Sequence, residues 1–152
     1  ADGAVLAHAG LVWTAGSSPS IPAISPTPVL ERGRLAVDDD LRLVGCTNTF
    51  ALGDLSARPG SPWPASAQVA MQQGDATAAA IAQLRMEEEP QPFQFEDRGE
   101  MLSLGVGEAT LTGMGLTLAG PLAFQLRRAT YLTRLPGISL GLRSAGAWFL
   151  NR

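Results

Sequence analysis

The sequence predicts an α/β fold (α+β if these residues stand alone) made of short strands, one long helix and amphipathic helices toward the C-terminus. Three observations carry that prediction. Apolar runs of three or four residues, each broken by Gly, Pro or Asp, fit strands and are too short for helices. The stretch 65–86 contains no proline and is dominated by alanine, the composition of a long helix. Residues 109–152 hold five arginines and no acid, interleaved with leucine, the pattern of basic amphipathic helices.

In chain order, Leu11-Val12-Trp13-Thr14 reads as a short buried strand ended by Ala15-Gly16, and the Ser/Pro-rich 17–28 as a loop. Leu35-Ala36-Val37 and Leu41-Arg42-Leu43-Val44 flank Asp38-Asp39-Asp40 as a hairpin or as paired strand ends. Thr49-Phe50-Ala51-Leu52 is a further apolar run, broken at once by Gly53-Asp54. Pro59, Gly60, Pro62 and Pro64 make a loop that delivers the chain to the long helix, which Glu87-Glu88-Glu89-Pro90 ends. Phe93-Gln94-Phe95 reads as an extended pair, followed by Met101-Leu102-Ser103-Leu104 and a glycine-rich continuation.

A second helix over 121–135 begins at a proline and stops at Pro136-Gly137. Leu122, Leu126, Ala129 and Leu132 share one broad face of it, Arg127 and Arg134 the other, with Arg128 on the opposite flank. A third helical stretch, 142–150, carries Trp148 and Phe149. The uncharged run 109–126 is long enough to suggest a membrane span, but its glycines, Pro121 and threonines argue against one.

Composition narrows the chemistry. With 152 residues, 45% of them apolar and 16% charged, the chain has the size and content of a packed domain and not of a disordered one. The single cysteine, Cys46, excludes an internal disulfide framework and a zinc site built on several thiolates. The single histidine, His8, leaves no basis for a histidine metal cluster or a Ser-His-Asp centre. The net charge of −3 conceals an asymmetry, because all 14 acids lie in residues 1–108. That acidic part is unsuited to nucleic acid, whereas the basic tail suits an anionic membrane face. No charged-then-apolar leader is visible, so a cytosolic or membrane-peripheral location is expected. Neither Gly105-Val106-Gly107 nor Gly113-Met114-Gly115 completes a dinucleotide-binding glycine motif, and no complete active site is visible.

Two constellations remain. Gly53-Asp54 after an apolar run puts a carboxylate at the C-terminal edge of a strand, where ligands of α/β sheets lie; the same pair also reads as a plain turn. Gln68 and Gln72, four apart, project both amides from one helix face beside the small residues Ala67, Ala70, Gly74 and Ala78. Uncharged amides beside such a stripe suit a neutral planar ligand with carbonyl groups, or another backbone lying on the helix. Solvated glutamines on a tightly packed helix give the same pattern. Cys46 reads as a structural thiol and the acidic runs 38–40 and 87–89 as solvated charges.

Trp13-Thr14-Ala15-Gly16, Phe50-Ala51-Leu52-Gly53-Asp54 and Ser66-Ala67-Gln68-Val69-Ala70-Met71-Gln72-Gln73-Gly74 together resemble the C-terminal third of type II NAD(P)H:quinone oxidoreductases. Phe93-Gln94-Phe95, Arg98-Gly99-Glu100-Met101-Leu102-Ser103-Leu104-Gly105 and Tyr131-Leu132-Thr133-Arg134-Leu135-Pro136 extend the likeness. The last two resemble the plastid and cyanobacterial branch, some of whose members reduce demethylated naphthoquinones. The family's usual Thr before Ala-Gln is Ser66 here, which keeps the hydroxyl.

The resemblance implies the C-terminal part of a flavoprotein with two dinucleotide-binding domains. Residues 1–16 would end the NAD(P)H domain, 17–108 would return to the FAD domain, and 109–152 would associate with a membrane. It implies that Gly53 and Asp54 serve FAD, with Asp54 on its ribityl or pyrophosphate region. Ala67, Gln68, Val69 and Ala70 would bring backbone groups to the pyrimidine edge of the flavin, and Gln68 and Gln72 would line the quinone site. Arg127, Arg128, Arg134, Trp148 and Phe149 would meet the membrane. Hydride would pass from NAD(P)H to the flavin, and electrons and protons from there to quinone.

A peripheral homodimer on the cytoplasmic side of a thylakoid or plasma membrane, without nucleic acid or metal, completes the expectation. The family's dinucleotide glycine loops and its acidic residue for quinone protonation have no counterpart in these residues, so a fragment unable to hold FAD tightly or oxidise NADH by itself is expected. The rival expectation is a non-catalytic module for membrane binding and dimerisation, of flavoprotein ancestry. A soluble disulfide or ferredoxin reductase domain is a third reading, and one thiol disfavours a sulfide:quinone reductase.

Overall fold

A computed structural model describes residues 5, 9–14 and 16–150 of the chain. It is a mixed α/β structure of three helices and two small three-stranded sheets, in two compact units, 1–95 and 96–152. The change of charge between 108 and 109 does not mark the division, because β5, Glu108–Gly113, begins there.

In the first unit, β1 (Leu30–Glu31) and β2 (Arg34–Ala36) form a tight antiparallel hairpin. Its turn residues Arg32 and Gly33 both take positive φ, 51° and 78°, which matches the twist of a two-residue hairpin. β3 (Ser56–Ala57) joins β2 in parallel, pairing Leu35 with Ser56 and Ala36 with Ala57. The paired strand ends expected around the aspartates form as antiparallel bridges, Val37 to Leu43 and Arg42 to Phe50. Leu41 closes that turn at φ +70°, while its side chain is 0% exposed. A left-handed L-residue costs about 1–2 kcal/mol, which burying a whole leucine side chain, about 1.5–3 kcal/mol, offsets.

Leu35, Val37, Leu41, Leu43, Ala51 and Phe93 form the core, with Ile21, Ile24, Phe50, Leu55, Trp63 and Cys46 packed around it. Cys46 is thus a half-buried free thiol. The segment 93–95 makes no strand; Phe93 is instead fixed by its N–H to Asp39 O at 2.7 Å and by an edge contact with Trp63 at 5.2 Å. The strand expected at 11–14 is a correction. Leu11, Val12 and Trp13 are exposed and carry no strand, since an apolar run with no neighbouring edge has nothing to pair with. His8, Ala15 and Arg152 lie outside the described residues.

Helix α1 spans Ala67–Arg85, close to the expected 65–86. It begins two residues late because Ser66 serves as its N-cap, accepting the Val69 N–H at 3.2 Å. In the second unit, β4 (Glu100–Gly105), β5 and β6 (Leu116–Gly120) form an antiparallel meander; β4 takes in the apolar run 101–104, and β5 and β6 lie where a glycine-rich continuation was expected. Helices α2 (Pro121–Thr133) and α3 (Ile138–Leu150) follow; α3 starts earlier than the expected 142. No helix among the described residues is long and apolar enough to cross a membrane.

Candidate functional site

After the bridge at Phe50, Gly53–Leu55 makes a single 3-10 turn. Gly53 takes φ +66°, and both of its polar backbone groups are held. Its N–H donates to Oε1 of Gln73 at 2.6 Å, and its carbonyl accepts from Ser56 Oγ at 3.1 Å and from the Ser56 N–H. Gln73 and Ser56 are both buried. The next residue, Asp54, is exposed, and nothing among the described residues hydrogen-bonds its carboxylate. A carboxylate presented outward on a turn anchored from beneath is an acceptor for hydroxyl groups.

The other half of the site is the start of α1. Val69, Gln73, Thr77 and Ala80 form its buried face. Beside them, Ala70 and Gly74 receive the turn: a Cβ built on Gly53 would stand 3.3 Å from the Cβ of Ala70, and one built on Gly74 would stand 4.0 Å from Leu52 Cδ1. Of the two occupants expected for the small-residue stripe, the chain itself, through Gly53 and the Leu52 side chain, thus covers its middle. Ala67 and Ala78 remain exposed. The Gln72 amide approaches Oε1 of Gln68 at 3.5 Å, so the two glutamines share a face as their spacing requires.

The structure therefore brings together Gly53, Asp54, Ala67, Gln68, Val69, Ala70 and Gln72, from the turn and the first turns of one helix. It also narrows the backbone donors. The Val69 N–H is bound by Ser66 Oγ and the Ala70 N–H by Ser66 O at 3.0 Å, while Ala67, at the first helical position, has no intrahelical partner by geometry. Gln73 was passed over in the sequence. Its signal is the spacing Val69, Gln73, Thr77, Ala80, which places a polar amide on the inward stripe.

The basic residues lie in the second unit. Arg127 and Arg128 are half-buried. The Arg127 guanidinium sits 4.7 Å from the Tyr131 ring centre and the Arg128 guanidinium 4.0 Å from that of Trp148. Arg134 also approaches Tyr131, at 5.7 Å. Ala123 is the buried residue of α2. The leucine face reads outward: Leu122 is 60% and Leu126 44% exposed. The side chain of Phe149 lies outside the described residues.

No protein-family model matches the chain. Among curated proteins it is similar to alternative NAD(P)H-ubiquinone oxidoreductase C1, chloroplastic/mitochondrial, of Arabidopsis thaliana, with 34% identity over 91% of this chain and 29% of that protein. Demethylphylloquinone reductase NdbB of Synechocystis is 35% identical over 93% of this chain and 38% of its own length. A type II NADH:quinone oxidoreductase of Staphylococcus epidermidis is 36% identical over 87% of this chain and 35% of its own length. The chain belongs to the type II NAD(P)H:quinone oxidoreductases. It spans about a third of the length of these relatives.

In this type II oxidoreductase chain the displaced titrations lie in the turn 38–42. Burial, then a hydrogen bond and the charge of Asp40, push Asp38 up to about 6. Burial also raises Asp40, but hydrogen bonds from Asp38 and Arg42 outweigh it and hold Asp40 below the usual carboxylate range. Arg42 pairs with Asp40 at 2.6 Å and is raised in turn, first by that hydrogen bond. It reaches Glu89 at 3.6 Å as well. The network fixes the end of the strand pair. Among the described residues no group of three or more His, Cys, Asp or Glu is placed to hold a metal ion.

Proposed function

We propose that this chain is the C-terminal, flavin- and quinone-facing part of a type II NAD(P)H:quinone oxidoreductase. The observation that carries the proposal is the anchored turn: Asp54 is presented from a peptide fixed on the very helix start that bears Gln68 and Gln72. The residues fit FAD. An exposed carboxylate at Asp54 accepts from ribityl hydroxyls, and the head of α1 at Ala67 offers N–H groups and the positive end of the helix dipole to an electron-rich ring edge. FAD, when bound, supplies the two-electron relay between nicotinamide and quinone. Gln68 and Gln72 orient the quinone, their amides donating to its carbonyl oxygens without introducing a fixed charge.

The names of the relatives supply the substrate class: ubiquinone for the plant protein, demethylphylloquinone for the cyanobacterial one and quinone for the staphylococcal one. NAD(P)H is the reductant on the same ground. The exposed leucines of α2 and α3, with Arg134 and Arg143 beside them, support peripheral attachment to an anionic membrane face, where a lipid-soluble quinone is found. The same exposed surface suits pairing of two copies as a homodimer. On this reading residues 1–16 end the nucleotide domain and 109–152 form the membrane-facing segment. NAD(P)H and the larger part of FAD are held by residues outside this chain.

Gln72→Leu in the full-length protein tests the proposal. The quinone KM is expected to rise about tenfold, the order of one lost hydrogen bond, while reduction of bound flavin by NADH proceeds unchanged. Unaltered quinone kinetics would remove Gln72 from the site.

A further inference from the structure

We propose that Gln73 is a positioning residue for the flavin, acting through Gly53 on Asp54. The inference rests on the reading of Asp54 as an FAD ligand and goes beyond it, because Gln73 itself faces away from any ligand. It is 1% exposed and lies on the inward stripe of α1 between Val69 and Thr77. A buried amide costs free energy unless bonded, whereas Leu or Met would fill the same space without that cost. The bond that justifies the amide is the one from the Gly53 N–H at 2.6 Å, across 20 residues of sequence.

That bond acts on one peptide. Gly53 holds φ +66°, with its N–H fixed by Gln73 and its carbonyl by Ser56. The Gly53 carbonyl belongs to the peptide unit whose nitrogen is that of Asp54, so the two anchors set the direction in which the Asp54 side chain leaves the turn. Adjacent in sequence, Gln72 lies toward Gln68. One turn of helix thus carries an amide inward to the flavin-side turn and another on the quinone-side face, making both parts of the site a single body. Preorganisation of this kind is worth more than the bond alone, since a small misplacement of a binding group is costly.

The test uses the full-length protein with Gln73→Met, which keeps the volume and removes the acceptor, and Gln73→Glu, which keeps an acceptor oxygen. FAD dissociation constants, the visible flavin spectrum and melting temperatures are measured for both, alone and combined with Asp54→Ala. Gln73→Met is expected to weaken FAD binding about tenfold and to alter the flavin spectrum, and Gln73→Glu to restore most of the affinity. The double variant with Asp54→Ala should bind no more weakly than Asp54→Ala alone, the signature of two residues acting through one contact. If Gln73→Met lowers only the melting temperature, or if its effect adds in full to that of Asp54→Ala, the inference is overturned while Asp54 keeps its role. If Asp54→Ala itself leaves FAD affinity unchanged, the underlying reading fails instead. Should Gln73→Met not fold, Gln73→Asn, which withdraws the acceptor by one methylene, carries the same expectations.

Discussion

Gly53 lies against Ala70 so closely that a Cβ built on the glycine would stand 3.3 Å from the Cβ of the alanine. The contact comes with a left-handed backbone, φ +66°, and the two requirements together disfavour any larger residue. It is the point at which the turn carrying Asp54 is seated on the helix carrying the glutamines.

Gly53→Ala should therefore destabilise the first unit by about 1–2 kcal/mol, the cost of a left-handed L-residue, with a further part from the crowded methyl groups. Urea denaturation measures the loss. Ala70→Gly removes the crowding at its own helical cost of about 0.5–1 kcal/mol but leaves the backbone strain, so in an Ala70→Gly background Gly53→Ala should cost less than in the wild type and still be destabilising. No cost of Gly53→Ala in that background would show that φ is not the limiting factor.

Leu41 offers the opposite case, a buried leucine held at φ +70°. Leu41→Ala loses the burial and keeps the strained backbone, an expected cost of about 2–5 kcal/mol. Leu41→Gly loses slightly more side chain but relieves the strain. The glycine variant should thus be at least as stable as the alanine variant, the reverse of the usual order. Denaturation midpoints in which Gly is clearly the worse replacement would contradict the role assigned to this turn.

These two turns also mark what the sequence reveals and what it hides. Helix α1 was legible because an Ala-rich stretch without proline has few alternatives; its first residues were misplaced only because Ser66 serves as the cap. The meander β4–β6 was not legible. Its turns at Val106-Gly107 and Met114-Gly115 are two residues long, with φ positive at Met114, Gly115 and Gly107, yet they lack the Asn-Gly or Asp-Gly pair that announces such hairpins. Apolar character at 11–14 was legible, but a strand needs a partner edge, which lies beyond any local pattern. At the site, the spacing of Gln68 and Gln72 showed which face they share. Gln73 was hidden because its partner is a backbone N–H 20 residues away.

Asp38 should make stability depend on pH. Its folded value, about 6, exceeds the ordinary carboxylate value, so between about 4 and 6 the folded chain keeps a proton that the unfolded chain releases. Stability from this group is therefore complete at low pH and is lost as pH rises through 6. Asp40, held low by its hydrogen bonds, acts in the other direction, its contribution being lost as pH falls below the ordinary value. Asp38→Asn keeps the acceptor for the Arg42 N–H and supplies a permanent donor toward Asp40. It should remove the decline between pH 4 and 6 and raise stability at pH 7. Solvent screening of a side chain 46% exposed limits the gain to less than about 1 kcal/mol. Denaturation curves at several pH values measure it, and an unchanged slope would contradict the proton assigned to Asp38.

The last expectation concerns α2, whose leucines face out while two of its arginines lie over aromatic rings. An apolar face exposed to water is costly unless something covers it, and the peripheral-membrane reading names an anionic bilayer. Leu122 and Leu126, 60% and 44% exposed, are one helical turn apart and can enter the interface together. Replacing both with serine leaves Ala123, the buried residue of α2, in place, so the fold should persist. Partition onto vesicles containing anionic lipid should fall by roughly tenfold or more, since each inserted leucine contributes about 1.5–3 kcal/mol at full burial. Arg143→Gln should weaken the same partition less, by about the 1 kcal/mol of one basic residue near the surface, and only at low salt. Cosedimentation that is indifferent to the leucines but sensitive to salt would mean that charge alone holds the chain at the membrane. Equal recovery in the supernatant with and without vesicles would remove the membrane from the reading altogether.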